Sequence, residues 1–511
     1  MTRFKMIGFN LCIMCIICSA SLIAKPSNTV SCILSTIEDS VPSEKTNAVV
    51  IDSASLKVAA VSPKWSSGHG NPLLDFHFCA DPTAVEYNGR LYVYGTNDHQ
   101  QYDAVGRWGR NTYEHIKMLT MISTDDMVNW TYHGEIHTDS IAPWIVNSWA
   151  PSVVKRDEAD GKTHFYLYFS NSGVGTGVLT ATSPIGPWSS PLNKSLVDAQ
   201  TSGIDCKVPF DPGAVIDDQG KGWLAVGGAC ARIMRLGEDM VSIDGQPSPI
   251  QAVHHFEANE LNYWDGTYIY TYNTDWQKRD DWSLDAPVPS TCSMSYMTSR
   301  TPLVTESWKY HHHYLKNPGE CGFDYSNNHT HLHKYRGHWY IFYHTMTLQH
   351  DFLSEGGFRN LCVDEIEIDE KGLDIHMGEM TLEGPAQLQS LNPYEQQEAE
   401  TTAATQGVLF EESGKVGNTL AYIIDDVGKI KVRGTLFNKP PKRFIVTAKG
   451  KGTIEVHGLT GDRDLLVATV NIDSKELKSV KTKVVLPLTG KADLYFVLKG
   501  KTLKFDNWTF K

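Results

Sequence analysis

The sequence has little positive charge for its size. Its 511 residues include 46 Lys and Arg against 59 Asp and Glu, which gives a net charge of −13. Nucleic-acid binding requires a basic face that displaces counterions, and docking on an anionic membrane surface requires the same sign of charge. The composition therefore predicts no nucleic-acid partner and no anionic-membrane partner. A hydrophobic content of 41% with 10% aromatic residues excludes a disordered chain.

Cysteine is scarce, and its spacing does not suit thiolate metal sites. Three of the ten cysteines lie within the first 24 residues, and the seven that follow contain no C-x-x-C pair. A zinc site built on thiolates therefore has no support. One or two disulfides are expected in an oxidising compartment, but the irregular spacings leave their pairing open.

The N-terminus has the form of a secretory signal. Residues 1–24 combine a charged start at Arg3 and Lys5, an apolar stretch over 7–18, and small residues after it. The apolar stretch is short for a transmembrane helix. A lipid anchor at Cys18 is disfavoured because Ile17 stands where a small residue is expected. We therefore predict a signal peptide (1–24), a linker (25–63) and a secreted or periplasmic protein whose only membrane contact is through the signal.

A change of composition near residues 393–397 marks a domain boundary. From Glu398 onward the chain has 19 basic and 13 acidic residues, whereas the part before it carries a net charge of −19. The predicted domains are 64–395 and 396–511.

The first of these domains contains a fivefold internal repeat. The repeats share a form: a polar or acidic residue, a short strand, a glycine-containing turn and a strand rich in Tyr and Trp. They start at Asp81, Trp149, Asp211, Glu257 and His329. The turns Asn88-Gly89, Asp160-Gly161 and Asp265-Gly266 suit type I′ hairpins. Repeat starts lie 46 to 72 residues apart, which fits a four-stranded blade. The sequence therefore predicts an all-β chain that begins with a five-bladed β-propeller.

Three of the repeats begin with, or next to, a carboxylate. Since the inner strands of a propeller start around one central funnel, Asp81, Asp211 and Glu257 are expected to converge at its mouth. Like charges held close together raise a pKa, so one carboxyl stays protonated beside an ionised one. Hydrolysis of a glycosidic bond uses such a pair. Taken singly, Asp-Pro is more often a turn starter and Glu before a strand a solvated edge, but three in register favour a site.

These segments resemble glycoside hydrolase family 43, inverting enzymes with a five-bladed propeller that act on arabinose- and xylose-containing glycans. The matching blocks, between about Asn71 and Asp369, are Ala80-Asp81-Pro82, Trp149-Ala150-Pro151, Phe210-Asp211-Pro212, Phe256-Glu257-Ala258 and Asn327-Asn328-His329. The resemblance implies that Asp81 is the general base, Glu257 the general acid, and Asp211 the carboxylate that raises the pKa of the acid and orients it. Glu260 is the rival acid. Glu257 is preferred because its spacing to Asp265-Gly266 matches that of Asp81 to Asn88-Gly89 within one residue.

Three residues are predicted to bind substrate, two of them from the same resemblance. His329 corresponds to a histidine at the funnel bottom that sits beside a calcium ion or a water. Arg359 corresponds to an arginine that contacts substrate hydroxyls, with a surface salt bridge as the alternative. Trp149 heads its repeat and is the preferred platform for stacking a sugar ring, ahead of Trp108 and Trp276.

The histidines of the fifth repeat raise a second possibility. His329, His331 and His333 alternate along one strand, so they share a face where zinc would bind. Polar strand residues with a single inward histidine are the favoured interpretation.

The C-terminal domain is predicted to be a β-sandwich of the jelly-roll type. Short alternating strands are expected at 430–432, 444–448, 453–456, 465–470, 481–486 and 493–498. The domain resembles a family 6 carbohydrate-binding module, which implies a structural calcium held by Glu398, Glu400 and Asp506. However, the predicted loop at 475–480 lacks a tryptophan, and only Tyr422 remains as a loop aromatic. Sugar binding and a stabilising role for this domain both stay open.

Together these features predict an inverting glycosidase that releases α-L-arabinofuranosyl residues from arabinoxylan or a related hemicellulose. No cofactor is required for this chemistry, and the partner is the polysaccharide itself, arabinoxylan or arabinan. A β-xylosidase and an endo-arabinanase are the alternatives on the same fold. A non-catalytic glycan-binding propeller and a protein-interaction propeller are the alternatives of a different class.

Overall fold

The computed structural model describes residues 64–278, 280–461 and 463–511. The predicted signal peptide (1–24) and linker (25–63) lie outside the described residues. Helices are few and short: α1 (Lys64–Ser67), α2 (Asp98–Val105), α3 (Thr138–Ile141) and α4 (Thr347–Asp351), with 3₁₀ turns at Ser172–Val174, Thr305–Ser307 and Pro318–Glu320. None of the helices in the described part of the chain is long and apolar enough to cross a bilayer.

Strands arranged in five radial blades form the first domain, as the repeat predicted. Blade 1 contains β1 (Ala80–Tyr87), β2 (Arg90–Thr96), β3 (Leu119–Thr124) and β4 (Trp130–Ile136), and blade 2 contains β5 (Trp149–Asp157), β6 (Thr163–Ser170), β7 (Gly175–Ala181) and β8 (Val197–Asp198). Blade 3 contains β9 (Gly213–Ile216), β10 (Gly222–Val226), β11 (Ala231–Leu236) and β12 (Ile243–Ile250). Blade 4 contains β13 (His255–Trp264), β14 (Thr267–Thr274), β15 (Met294–Ser299) and β16 (Lys309–Leu315). Each blade is an antiparallel sheet. The predicted all-β propeller is confirmed.

Blade 5 closes the ring with help from the start of the domain. It has three strands, β17 (His331–Tyr335), β18 (His338–Thr345) and β19 (Asn360–Glu365), followed by the small hairpin of β20 (Ile368–Asp369) and β21 (Asp374–Ile375). The segment 71–79 runs beside β19, where Leu73 N donates to Leu361 O at 2.8 Å and Cys79 N to Arg359 O at 3.0 Å. The first and last parts of the propeller are thus hydrogen-bonded together.

The inner strands begin with an irregularity that recurs in four blades. Asp81, Ala150, Asp211 and Ala258 all have positive φ, between 39° and 59°. The ladder register also shifts at the heads of β1, β5 and β13. Such bulges turn the first residues of a strand away from the regular alternation. The bulges also explain why the spacing from Glu257 to its turn differs by one residue from that of Asp81. Glu257 precedes the residue of its strand with positive φ, Ala258, whereas Asp81 and Asp211 themselves have positive φ.

Two of the three predicted type I′ turns are confirmed. Both residues of Asn88-Gly89 and of Asp265-Gly266 have positive φ, which this turn type requires. The prediction for Asp160-Gly161 is wrong, because only Gly161 has positive φ there. Strand β5 ends at Asp157 and β6 starts at Thr163, so the connection is longer than a two-residue turn.

Neighbouring blades pack through buried aliphatic and aromatic side chains. Between blades 1 and 2, for example, Val85 and Leu119 pack with Phe165 and Leu179. A disulfide joins Cys206, in the connection from blade 2 to blade 3, to Cys230 of blade 3, with a Cα–Cα distance of 6.0 Å. This is the pairing that the cysteine spacing left open.

The second domain is a β-sandwich with longer strands than predicted. Its strands are β22 (Gln397–Glu398), β23 (Thr401–Thr402), β24 (Ala404–Gln406), β25 (Val408–Glu412), β26 (Thr419–Ile423), β27 (Val427–Phe437), β28 (Arg443–Thr460), β29 (Arg463–Lys483), β30 (Gly490–Lys499) and β31 (Lys504–Phe510). The main sheet runs in the order β24-β27-β30-β28-β31-β26-β25, with β29 on β28 and β22 on β31.

Several predictions for the sandwich need correction. The strands expected at 444–448 and 453–456 are both parts of β28, and the expected loop at 475–480 lies within β29. Gly450 allows β28 to continue, because it has φ +91° and a Cβ there would lie 1.8 Å from the carbonyl oxygen of Thr502. Tyr422 is on β26 instead of a loop, and the Lys504 ammonium lies 4.4 Å from its ring centroid.

The two domains share a sheet and several buried hydrogen bonds. Strand β23 of the sandwich side pairs with β4 and extends blade 1 to five strands. The buried Asp75, in the segment that closes the ring, accepts hydrogen bonds from Thr405 N and Thr405 Oγ1, both at 2.8 Å. The ammonium of Lys431 donates to the carbonyl oxygen of Trp65 at 2.6 Å. The sandwich therefore braces both the first blade and the closing segment.

We expect Asp75→Ala to lower the free energy of unfolding by about 2 to 4 kcal/mol, because two buried donors of Thr405 lose their acceptor. Thermal and denaturant unfolding of the purified chain measure this. Asp473→Ala, which removes an exposed carboxylate from β29, is the matched control and should leave stability unchanged. Equal stability of the two variants would contradict a bracing role for this contact.

Candidate active site

Asp81 is buried at the head of β1 and surrounded by cationic and donor groups. Thr96 Oγ1 donates to Asp81 Oδ2 at 2.6 Å, and Arg359 Nη1 donates to Oδ1 at 2.8 Å. The Nδ1 atoms of His329 and His344 lie 3.6 and 3.4 Å from Oδ1. Burial alone would raise the pKa of Asp81, but Arg359 and the histidines hold it well below its usual value. Asp81 is therefore an ionised carboxylate, the form that a base requires.

Asp211 lies just before β9 and is held by backbone and hydroxyl groups. Ser170 Oγ donates to its Oδ1 at 3.1 Å, and the backbone N–H of Ala258 donates to its Oδ2 at 2.9 Å. Burial raises the pKa of Asp211, and the charge of Asp81 adds to this, while His329 opposes it. Because Ala258 is the neighbour of Glu257, this hydrogen bond links the second carboxylate to the third.

Glu257 lies in the bulge of β13 and is partly open to solvent. Asn327 Nδ2 donates to its Oε1 at 3.4 Å. Burial raises the pKa of Glu257 to about 8, with a further contribution from the negative charge of Asp211. Glu257 is therefore protonated at neutral pH, the form that an acid requires.

The site thus brings together three carboxyl groups from blades 1, 3 and 4, as the repeat predicted. Environment separates their pKa values: a guanidinium keeps Asp81 ionised, whereas burial and Asp211 keep Glu257 protonated. Two titratable groups whose pKa values are pushed apart in this way are candidates for an acid and a base.

Arg359 is buried just before β19 and is shared between two carboxylates. Its Nη1 contacts Asp81, while its Nε and Nη2 donate to Asp98, each at 2.9 Å. The Tyr113 ring centroid lies 4.9 Å from its Cζ. The alternative of a surface salt bridge is therefore wrong, since the ion pairs of Arg359 are buried.

Asp98 and Thr96 were not predicted from the sequence as residues of this site. Thr96 lies opposite Ala80 across the first hairpin, so counting back from the Asn88-Gly89 turn offers a signal for it. Asp98 lies 261 residues from Arg359 and carries no local motif that indicates its partner.

Residues 69–373 match the family described as glycosyl hydrolases family 43. The chain belongs to this family. The prediction of a glycosidase is confirmed at this level.

Relatives of this family 43 chain include two proteins named arabinoxylan arabinofuranohydrolase. The protein from Bacillus subtilis (strain 168) is 34% identical over 87% of this chain and 92% of its own length. The protein from Paenibacillus polymyxa is 33% identical over 87% of this chain and 74% of its own. A crystal structure of the family 43 arabinoxylan arabinofuranohydrolase from Bacillus subtilis in complex with cellotetraose superimposes with a TM-score of 0.80, covering 87% of this chain and 98% of that one.

Glu260, the rival acid of this family 43 site, is placed away from solvent. It is 1% exposed, and its Oε1 lies 2.9 Å from Nδ1 of His331. His331 in turn contacts His333, at 3.3 Å between Nε2 and Nδ1. Burial lowers the pKa of both histidines to about 3, so both are neutral. Within residues 64–278, 280–461 and 463–511, no group of three or more His, Cys, Asp or Glu side chains is arranged to hold a metal ion, so the zinc alternative gains no support.

The predicted sugar platforms differ in their placement. Trp149 is half-buried at the head of β5, and its Nε1 donates to the carbonyl oxygen of Tyr113 at 3.2 Å. Tyr113 also covers Arg359, so Trp149 borders the carboxylates. Trp108 is 81% exposed on the connection between β2 and β3, and Trp276 is partly exposed after β14.

The predicted calcium ligands lie where β22 meets β31. Asp506 accepts from Asn418 Nδ2 at 3.0 Å, and one buried carboxylate oxygen each of Glu398 and Glu400 has no hydrogen-bond partner. Burial raises the pKa of Glu398 and of Glu400, and neighbouring carboxylates add to both shifts. Unpaired buried oxygens suit a hard cation, so these residues fit calcium in chemistry although their side chains do not form a ready ligand set.

Proposed function

We propose that this chain is an inverting glycosidase that releases α-L-arabinofuranosyl residues from arabinoxylan. The observation that carries the proposal is the pairing of an ionised Asp81 with a protonated Glu257 in one funnel mouth. The substrate is inferred from the two arabinoxylan arabinofuranohydrolases, whose likeness extends over most of this chain.

The proposed reaction is a single displacement. Glu257 gives its proton to the glycosidic oxygen as the bond to the anomeric carbon breaks. Asp81 takes a proton from a water molecule that attacks this carbon from the opposite face, so the configuration inverts. Asp211 keeps Glu257 protonated through its charge and orients it through the Ala258 N–H. After product release Glu257 regains a proton from solvent and Asp81 loses one.

The remaining residues of the mouth would bind the sugar. We assign Arg359 and His329 to contacts with hydroxyl groups of the arabinofuranosyl unit, because both lie beside Asp81. Trp149 provides a flat face for the sugar ring at the border of the same pocket. A secreted or periplasmic location, predicted from residues 1–24, is part of this proposal since the substrate is a polymer.

We expect Glu257→Gln and Asp81→Asn each to lower kcat on arabinoxylan by about a hundredfold or more, because each removes one half of the acid–base pair. Release assays on arabinoxylan, arabinan and xylo-oligosaccharides, with the product anomer followed by NMR, measure the rate, the specificity and the inversion. Glu86→Gln changes a carboxylate at the other end of β1 and is the control that should retain activity.

Four results would count against the proposal. Near wild-type turnover by either variant removes the role assigned to that residue. Release of xylose in place of arabinose indicates a β-xylosidase, and cleavage within arabinan chains indicates an endo-arabinanase. Binding of glycan without turnover by the wild type indicates a non-catalytic propeller.

We expect kcat/KM to fall as the pH rises through about 8, because Glu257, whose pKa is raised to about 8, then loses the proton that it must donate. Asp211→Asn removes the neighbouring negative charge, so the pKa of Glu257 falls and the alkaline limb moves to lower pH. Asp473→Asn in the sandwich should leave the limb in place. A limb that stays unmoved in Asp211→Asn would contradict the coupling of the two carboxyl groups.

For the sandwich, the contacts support a bracing role, and we assign a structural calcium to Glu398, Glu400 and Asp506. The ion would tie the first sandwich strand to the last, which already pair through β22 and β31. We expect EDTA to lower the thermal unfolding midpoint and added Ca²⁺ to restore it, since a ligand of the native state stabilises that state. Glu400→Gln should abolish this response. An unfolding midpoint that ignores EDTA and Ca²⁺ in the wild type would rule the site out.

A further inference from the structure

Asp98 is a buried acid with no role in the proposed reaction. It is the first residue of α2 and is 0% exposed. Its Oδ2 accepts from Arg359 N at 3.0 Å, Arg359 Nε at 2.9 Å and Asn111 Nδ2 at 2.6 Å, and its Oδ1 accepts from Arg359 Nη2 at 2.9 Å. Four donors therefore hydrogen-bond to this carboxylate, and three of them belong to Arg359.

Rigid surroundings hold Asp98 in this position. The preceding residue, Asn97, caps α2 by accepting from Gln100 N at 3.0 Å and donates to Glu135 Oε2 at 2.8 Å. On the other face, Tyr102 packs against Phe358, which directly precedes Arg359 in the chain. One aromatic cluster thus fixes both the helix that carries the acid and the loop that carries the arginine.

The geometry divides the guanidinium between two carboxylates. Asp98 occupies the edge formed by Nε and Nη2, which leaves a single contact from Nη1 to Asp81 Oδ1. The second oxygen of Asp81 is bound by Thr96. An arginine whose Nε–Nη2 edge is free prefers to bind both oxygens of a carboxylate at once. Such a pair would add a second guanidinium contact, at the Asp81 oxygen that Thr96 already binds, and would leave fewer lone pairs of Asp81 to accept a proton from a water molecule.

We propose that Asp98 is a positioning residue that restrains Arg359 to one-point contact with Asp81. The restraint keeps Asp81 ionised through the nearby cation yet available to accept a proton. The inference rests on the proposed function of Asp81 as general base and adds to it a reason why Arg359 does not inactivate that base.

The test begins with Asp98→Asn, which keeps the side-chain shape and removes its charge. Because Asp98 is buried and acts through Arg359, kcat on arabinoxylan should fall by about a hundredfold, the cost of a misplaced catalytic group. KM should change by less than kcat, because Arg359 is only one of the residues assigned to bind the sugar and His329 and Trp149 stay in place. The matched control is Asp126→Asn, a buried acid of blade 1 that accepts from backbone N–H groups of Val128 and Asn129. It should lower thermal stability and leave kcat unchanged.

A double-mutant cycle with Arg359→Lys separates positioning from a general structural role. If Asp98 acts through Arg359, the double variant should be no slower than the slower single variant, whereas independent effects multiply to a loss on the order of ten-thousandfold. A crystal structure of Asp98→Asn should show two hydrogen bonds between Arg359 and Asp81. Multiplying effects, or an unmoved Arg359, would overturn the inference.

A second variant keeps the inference falsifiable if Asp98→Asn fails to fold. Asp98→Glu retains the charge but moves the carboxylate, and with it the Arg359 guanidinium, by one methylene, so kcat should fall by more than KM changes. Wild-type kcat in either folded variant would refute the role of Asp98. If Asp81→Asn itself remains active, the proposed function fails; if it is inactive while Asp98 variants are normal, only the present inference fails.

Discussion

The site depends on the burial of one guanidinium among carboxylates. Arg359 is 4% exposed, and removing its charge from water is offset by Asp81 and Asp98, which contact different edges of the same group. With that cation beside it, Asp81 remains ionised in surroundings that would otherwise protonate it. Burial favours the protonated form of both groups, but Glu257 lacks such a partner and has Asp211 nearby, so its pKa is raised to about 8. One buried cation therefore separates the pKa values of the two carboxyl groups, and the acid and base roles proposed for them depend on that difference.

The blades supply the rigidity that this arrangement requires. Carboxyl groups with unlike pKa values must be held close together at a fixed separation. The bulges at the heads of the inner strands set their positions. Closure of the ring through segment 71–79 brings β1 beside β19, which places Arg359 against Asp81. The sandwich extends this brace through β23 and the Asp75–Thr405 contact. The second domain thus supports the part of the ring that holds Asp81.

Residue patterns were informative where structure is local. The hairpins at Asn88-Gly89 and Asp265-Gly266 are predictable because two adjacent residues with positive φ have a clear composition, whereas Asp160-Gly161 has the same composition in a longer connection. In the sandwich, glycine and charged residues favour turns by composition. Gly450 instead allows β28 to pass close to Thr502, and the lysines of 475–480 belong to strand β29. Whether a polar stretch is a loop or an exposed strand is decided by its neighbours in the sheet.

The sequence by itself determined the propeller, the three carboxylates and their placement at the heads of repeats, because period, turn residues and charge are properties of neighbouring positions. Only the tertiary structure decided the rest. It paired Arg359 with Asp98 across 261 residues, gave Glu257 its raised pKa through burial, and converted Tyr422 from a candidate sugar contact into a strand residue beside Lys504. These features depend on which distant groups share a buried volume, and no local pattern of residues encodes that.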